Sequence, residues 1–157
     1  MIRPIQVFLI DDDEDEHVLF ENALNGIDEN IDCYHAMSGE EAIRMLASGE
    51  YSPDYIFLDL KMPRMDGKEC LWKLKDMLSV PVIIYTTLLL AKDIDDSRTL
   101  GAEWFLVKPA SRAQLKQSIS MILYDVRPKN LSIPLLKGVY KLNAVTHGLF
   151  SHSWSYN

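Results

Sequence analysis

Ile56-Phe57-Leu58-Asp59-Leu60-Lys61-Met62-Pro63-Arg64-Met65-Asp66-Gly67 is the stretch whose reading decides the fold. Three apolar residues run into one carboxylate, and the chain then turns through Pro63 and Gly67. That pattern reads as a buried strand delivering Asp59 to the edge of a sheet. A lone aspartate at a strand end ordinarily serves a turn or caps a helix. Whether Asp59 does more depends on what the other strand ends carry.

The same pattern recurs on both sides. Upstream, Gln6-Val7-Phe8-Leu9-Ile10 ends abruptly in Asp11-Asp12-Asp13, and Val18, Leu19, Phe20, Ala23 and Leu24 then recur at helical spacing before Gly26. Ile31 to Ala36 suits a second strand, and Ser38 with Glu41 three residues on is a capping-box pattern opening a helix to about Ser48. The third strand spans Asp54 to Leu58, followed by a helix over Lys68 to Leu78 with Cys70, Leu71, Leu74 and Leu78 on one face. Downstream, Val82-Ile83-Ile84-Tyr85-Thr86 is a fully apolar strand ending in hydroxyls, then a helix of indistinct start runs to about Leu100. A fifth strand over Glu103 to Val107 is stopped by Lys108-Pro109, and Ser111 can cap a last helix carrying Leu115, Ile119, Ile122 and Leu123 as its stripe. Five strands alternating with five helices predict a three-layer, doubly wound α/β domain with a parallel sheet.

In such a sheet, functional groups gather beyond the carboxyl ends of the strands. Asp11 and Asp12 follow the first strand, Asp59 the third, Thr86 and Thr87 end the fourth, and Lys108 follows the fifth. Carboxylates brought this close repel by about 4 kcal/mol per pair at an effective dielectric near 20. Lys108 offsets part of that charge, and an oxygen-rich pocket of Asp11, Asp12 and Asp59 suits Mg²⁺, completed by water and a backbone carbonyl. Magnesium held by few carboxylates characteristically binds phosphoryl oxygens, and a carboxylate beside it can act as nucleophile. Asp59 is then the acceptor, with Thr86 and Lys108 holding phosphoryl oxygens.

The bulk properties set bounds. A chain of 157 residues with 48% hydrophobic content can bury one core, and a net charge of −7 argues against direct nucleic-acid binding or an anionic membrane surface. Cys33 and Cys70 lack the paired spacing of zinc or redox motifs and read as small apolar residues. The N-terminal apolar run is too short for a signal peptide or membrane span, so a cytoplasmic location is expected.

The Asp11-Asp12 pair, the Asp-x-x-Met-Pro-x-Met-Asp-Gly run from Asp59 to Gly67, Thr86 and Lys108-Pro109 together resemble the receiver domain of two-component response regulators over roughly Ile5 to Tyr124. The resemblance implies a flavodoxin-like sheet of order 2-1-3-4-5. It also implies phosphorylation of Asp59 by a histidine kinase or phosphotransfer protein, Mg²⁺ at Asp11, Asp12 and Asp59, and coordination by the Lys61 carbonyl. Thr86 and Phe105 would form the switch that reshapes a face for a downstream protein. Ala110 departs from the family's common aromatic after Lys-Pro. Lys61 and Leu88 occupy positions that influence water access in the family, and neither offers a carboxylate or amide, which implies slow dephosphorylation.

On this reading the protein is a stand-alone receiver comprising residues 1–124, with a basic, apolar extension over 125–157 and no effector domain. It catalyses only its own phosphorylation and dephosphorylation. The extension has four cations, Arg127, Lys129, Lys137 and Lys141, against Asp125. It is expected to pack on the acidic body, to bind a partner or a second copy as a homodimer, or to be disordered. Two other functions compete. One is a pseudo-receiver that binds partners without phosphorylation. The other is a haloacid-dehalogenase-type phosphohydrolase, suggested by Asp11-x-Asp13 and opposed by the Glu14-Asp15 that follows.

Overall fold

The computed structural model describes residues 2–87, 90–124 and 138–142. Their strands form a six-stranded sheet of order β2-β1-β3-β4-β5-β6. The elements run β1 (Ile5–Ile10), α1 (Glu14–Asn25), β2 (Ile31–Ala36), α2 (Gly39–Ala47), β3 (Tyr55–Leu58), α3 (Gly67–Met77), β4 (Val82–Thr86), α4 (Ala91–Thr99), β5 (Trp104–Val107), α5 (Arg112–Tyr124) and β6 (Val139–Lys141). The first five strands pair in parallel, in the expected order.

Strand alternation explains the layers, because successive side chains point to opposite faces. Phe8, Ile10, Ile56, Leu58, Ile84 and Phe105 pack with Leu46 of α2, Leu71 and Leu74 of α3, and Ile94 of α4. Val7, Leu9, Phe57, Ile83, Tyr85 and Leu106 pack instead with Phe20 and Leu24 of α1 and with Leu115, Ile119 and Ile122 of α5. Apart from Gln6 in β1 and Thr86 at the end of β4, the central strands are thus apolar, as a sheet covered on both faces requires.

Local chemistry sets the helix starts. Asp13 caps α1 by accepting from the Asp15 N–H, Ser38 caps α2 by accepting from the Glu41 N–H at 3.1 Å, and Asp66 caps α3 through the Lys68 N–H at 3.2 Å. Glu41 completes the box one residue earlier than the usual pattern, accepting from the Met37 N–H. By contrast, α4 begins after Leu90 with no side-chain cap, which is why its start left no mark in the sequence. Lys68 ties α4 down instead, pairing with Asp93 and Asp96 at 2.8 Å each.

The sixth strand is a difference from the five expected. β6 pairs antiparallel with β5, placing Tyr140 opposite Phe105. The Val107 N–H donates to the Gly138 carbonyl at 2.8 Å, and the Leu142 N–H donates to the Glu103 carbonyl at 2.9 Å. Val139 enters the α1/α5 core and Leu142 the opposite one. Gly138, at φ +88°, makes the entry in a left-handed conformation that favours glycine. Residues 138–142 of the segment beyond α5 therefore complete the sheet, and the remainder of residues 125–157 lies outside the described residues. None of the described helices is long and apolar enough to cross a membrane.

Losing β6 uncovers the edge of β5 and removes two buried aliphatic side chains, worth roughly 2 kcal/mol after ordering costs. A chain ending at Arg127 is expected to melt about 5 °C lower by calorimetry. An unchanged melting temperature would show that β6 adds nothing to the fold.

Candidate functional site

Ladder hydrogen bonds fix the strand ends that carry the polar residues. The Asp11 N–H donates to the Ala36 carbonyl at 3.1 Å, the Asp59 N–H to Ile10 at 3.0 Å, and the Lys108 N–H to Thr86 at 2.7 Å. Each residue leaves its strand at the same edge of the sheet. Among the described residues, Asp11, Asp12 and Asp59 bring carboxylate oxygens within 4.8 Å of one another. Asp11 and Asp59 are buried, whereas Asp12 is exposed.

Lys108 reaches into this group. Its ammonium donates to Asp11 Oδ2 at 2.6 Å and to Asp59 Oδ2 at 3.4 Å. The other oxygens take backbone donors: Asp11 Oδ1 accepts from the Asp13 N–H and Asp59 Oδ1 from the Lys61 N–H, both at 3.0 Å. Asp13 itself serves as the cap of α1. Three carboxylates against one ammonium leave two negative charges unbalanced, so the donor set fits a hard divalent cation with oxygen ligands.

Burial pushes the Asp11 carboxyl above its ordinary range, against the opposing bonds from Lys108 and the Asp13 N–H. Burial alone would lower the Lys108 ammonium, yet the bond to Asp11 and the charges of Asp11, Asp59 and Glu16 hold it above its ordinary value. The Cys33 and Cys70 thiols are each pushed up to about 12 by burial, which leaves them little thiolate and fits their reading as apolar fillers.

The turn after Asp59 is held by a close approach. A Cβ on Gly67 would lie 2.4 Å from Leu60 Cα and 2.8 Å from the Asp59 carbonyl oxygen, so the first residue of α3 packs directly on the backbone behind Asp59. Arg64 absorbs the bend at φ 69°. Thr86 is fully buried and its Oγ1 has no hydrogen-bond partner among the described residues. Phe105 is also fully buried, between Ile84 of β4 and Tyr140 of β6. The Lys61 side chain is exposed, and Leu88 lies outside the described residues.

Three contributors were not legible as site residues. His17 Nε2 donates to the Asp11 carbonyl oxygen at 2.6 Å, and its ring stacks on His35 at 4.7 Å. The Tyr85 ring lies 5.1 Å from the Lys108 ammonium, and its hydroxyl donates to Glu16 Oε2 at 3.0 Å. In sequence, His17 and Glu16 look like one more turn of a polar helix start and Tyr85 like one more apolar strand residue.

A doubly wound parallel sheet whose strand ends gather three carboxylates, a lysine and a buried threonine defines a flavodoxin-like receiver protein. The chain belongs to the response regulator receiver domain family, whose family model matches residues 7–120. It is a receiver domain of two-component signalling, and such domains are signalling modules rather than conventional enzymes. A probable transcriptional regulator, ycf27, of Cyanidium caldarium is 27% identical over 134 residues, covering 83% of this chain and 51% of the regulator. The chain spans about half the length of the curated relatives it matches. The phosphorylated cyanobacterial phytochrome response regulator RcpA is 28% identical, with a TM-score of 0.69 over 76% of this chain and 91% of that one. The CheX–CheY–BeF3–Mg complex of Borrelia burgdorferi contains a chain also 28% identical, with a TM-score of 0.68 over 77% of this chain and 90% of that one.

A raised Asp11 pKa means that the folded state holds more protons than the unfolded state between the ordinary and the raised value. Stability contributed by this group is therefore lost as pH rises through that interval. In EDTA, the melting temperature of the wild type relative to Asp11→Asn is expected to fall as pH climbs from below the ordinary carboxylate range to neutrality. A rise over the same interval would contradict the burial argument.

Proposed function

We propose that this receiver takes a phosphoryl group on Asp59 from a phosphohistidine of a histidine kinase or phosphotransfer protein and signals through altered contacts with a downstream protein. The observation that carries the proposal is the excess of carboxylate charge around one lysine, at a sheet edge where β4 ends in a buried threonine whose hydroxyl lacks a partner among the described residues. The likeness to RcpA, described as phosphorylated, and to a CheY described with BeF3 and Mg supports it.

In this reading an Asp59 carboxylate oxygen attacks phosphorus, the donor's P–N bond breaks, and its electron pair leaves with the imidazole. The Lys61 N–H bond to Asp59 Oδ1 orients the carboxylate and leaves Oδ2 as the nucleophile. Lys108, already 3.4 Å from that oxygen, pairs with a phosphoryl oxygen as charge arrives. The Thr86 hydroxyl donates to another, which satisfies a buried group that otherwise has no partner among the described residues. A Mg²⁺ ion held by Asp11, Asp12, Asp59 and the Lys61 carbonyl would supply the remaining charge neutralisation on the phosphoryl oxygens. Movement of Thr86 toward the phosphoryl group opens space near Phe105, and the coupling is read at the surface beside β5, where β6 forms the sheet edge.

The body ends near Tyr124 in this proposal, with residues 125–157 as an extension that lends β6 to the sheet. A reducing, cytoplasmic setting suits the two free thiols. Incubation with acetyl phosphate and Mg²⁺, followed by intact mass measurement, is expected to add one phosphoryl group to the wild type and none to Asp59→Asn. Addition to neither, with both proteins folded and metal present, would overturn the proposal.

A further inference from the structure

Lys108 must do two things at once in the proposed reaction: stay charged between Asp11 and Asp59, and keep an N–H free for the incoming phosphoryl oxygens. An ammonium has three donors, of which Asp11 and Asp59 engage two. A further polar neighbour would consume the third. Among the described residues, the structure holds this cation on the face of an aromatic ring instead.

Tyr85 supplies the ring. It lies on β4 immediately before Thr86, and alternation along the strand sends its side chain to the α1/α5 layer. Lys108 Nζ sits 5.1 Å from its centroid, within cation–π range. Phe20 packs at 5.4 Å and Phe57 at 6.4 Å between centroids, so the ring has fixed neighbours on its other sides. Its hydroxyl is anchored on Glu16 Oε2, in the first turn of α1. A phenol donating to a carboxylate is more electron-rich, which strengthens its hold on a cation. The ring attracts the charge through its quadrupole and requires no directed hydrogen bond from the lysine.

We infer that Tyr85 is a positioning residue that holds the Lys108 ammonium between Asp11 and Asp59 through its ring face, with Glu16 fixing the ring. This deepens the phosphoacceptor reading and rests on it, because Tyr85 acts only through Lys108 and touches none of the reacting atoms.

Two measurements test it on the full chain. In proton NMR, ring current should shift the Lys108 ε-methylene signals upfield in the wild type and in Tyr85→Phe, and return them toward ordinary lysine values in Tyr85→Leu, or in Tyr85→Met should the leucine variant not fold. In the rate of phosphorylation by acetyl phosphate at saturating Mg²⁺, the ringless variant is expected to be about threefold to thirtyfold slower. Tyr85→Phe, which keeps the ring but loses the Glu16 anchor, should fall between the wild type and the ringless variant.

A Lys108→Gln background separates positioning from general damage to the core. There, loss of the ring should slow the reaction no further, because the group it positions is gone. Ordinary lysine shifts in the wild type, or an equal slowing in both backgrounds, would overturn the role of Tyr85. A wild type that shows the upfield shift but accepts no phosphoryl group would overturn the phosphoacceptor reading while leaving the ring's hold on Lys108 in place.

Discussion

The Lys108 ammonium between Asp11 and Asp59 is the interaction on which the site depends. Two buried carboxylates facing each other across a sheet edge would repel by several kcal/mol at any dielectric suited to a protein interior. One lysine reduces the repulsion but cannot cancel it, since Asp12 adds a third negative charge close by. Burial adds to that cost and is the main reason the Asp11 carboxyl is raised above its ordinary range, with the Asp59 charge a lesser cause. A well-packed apolar edge would be more stable, and the sheet gives up that stability to hold three carboxylates and an ammonium together.

The remaining architecture fixes where these charges sit. Parallel pairing aligns the ends of β1, β3, β4 and β5, so residues far apart in the chain meet without any loop having to reach. Gly67 lets α3 start directly against the Asp59 backbone, and His17 grips the Asp11 carbonyl from within α1. Tyr85 and Glu16 extend the same support to the lysine. These contacts hold the charged groups from behind, leaving Asp12 and the outer edge open to solvent.

Much of this was legible in the chain itself because strand ends announce their chemistry. An apolar run that stops at a carboxylate, hydroxyl or lysine identifies both the strand and the group it presents, and this exposed Asp11, Asp12, Asp59, Thr86 and Lys108. The start of α4 was not legible because no side chain caps it. β6 escaped because three residues carry too little periodicity, and its pairing depends on the exposed edge of β5 and on the left-handed Gly138. Tyr85 and His17 escaped for another reason. Their roles lie in contacts across the sheet and helix layers, and nothing in the local sequence distinguishes a tyrosine that fills a core from one that also holds a cation.

The identity of the nucleophile is the centre of the account, and chemical trapping reads it directly. Borohydride reduces an acyl phosphate to an alcohol, so treatment of the acetyl-phosphate-reacted protein followed by peptide mapping should find homoserine at position 59 and unmodified aspartate at positions 11, 12 and 13. Reduction at any of those three positions with Asp59 untouched would contradict it.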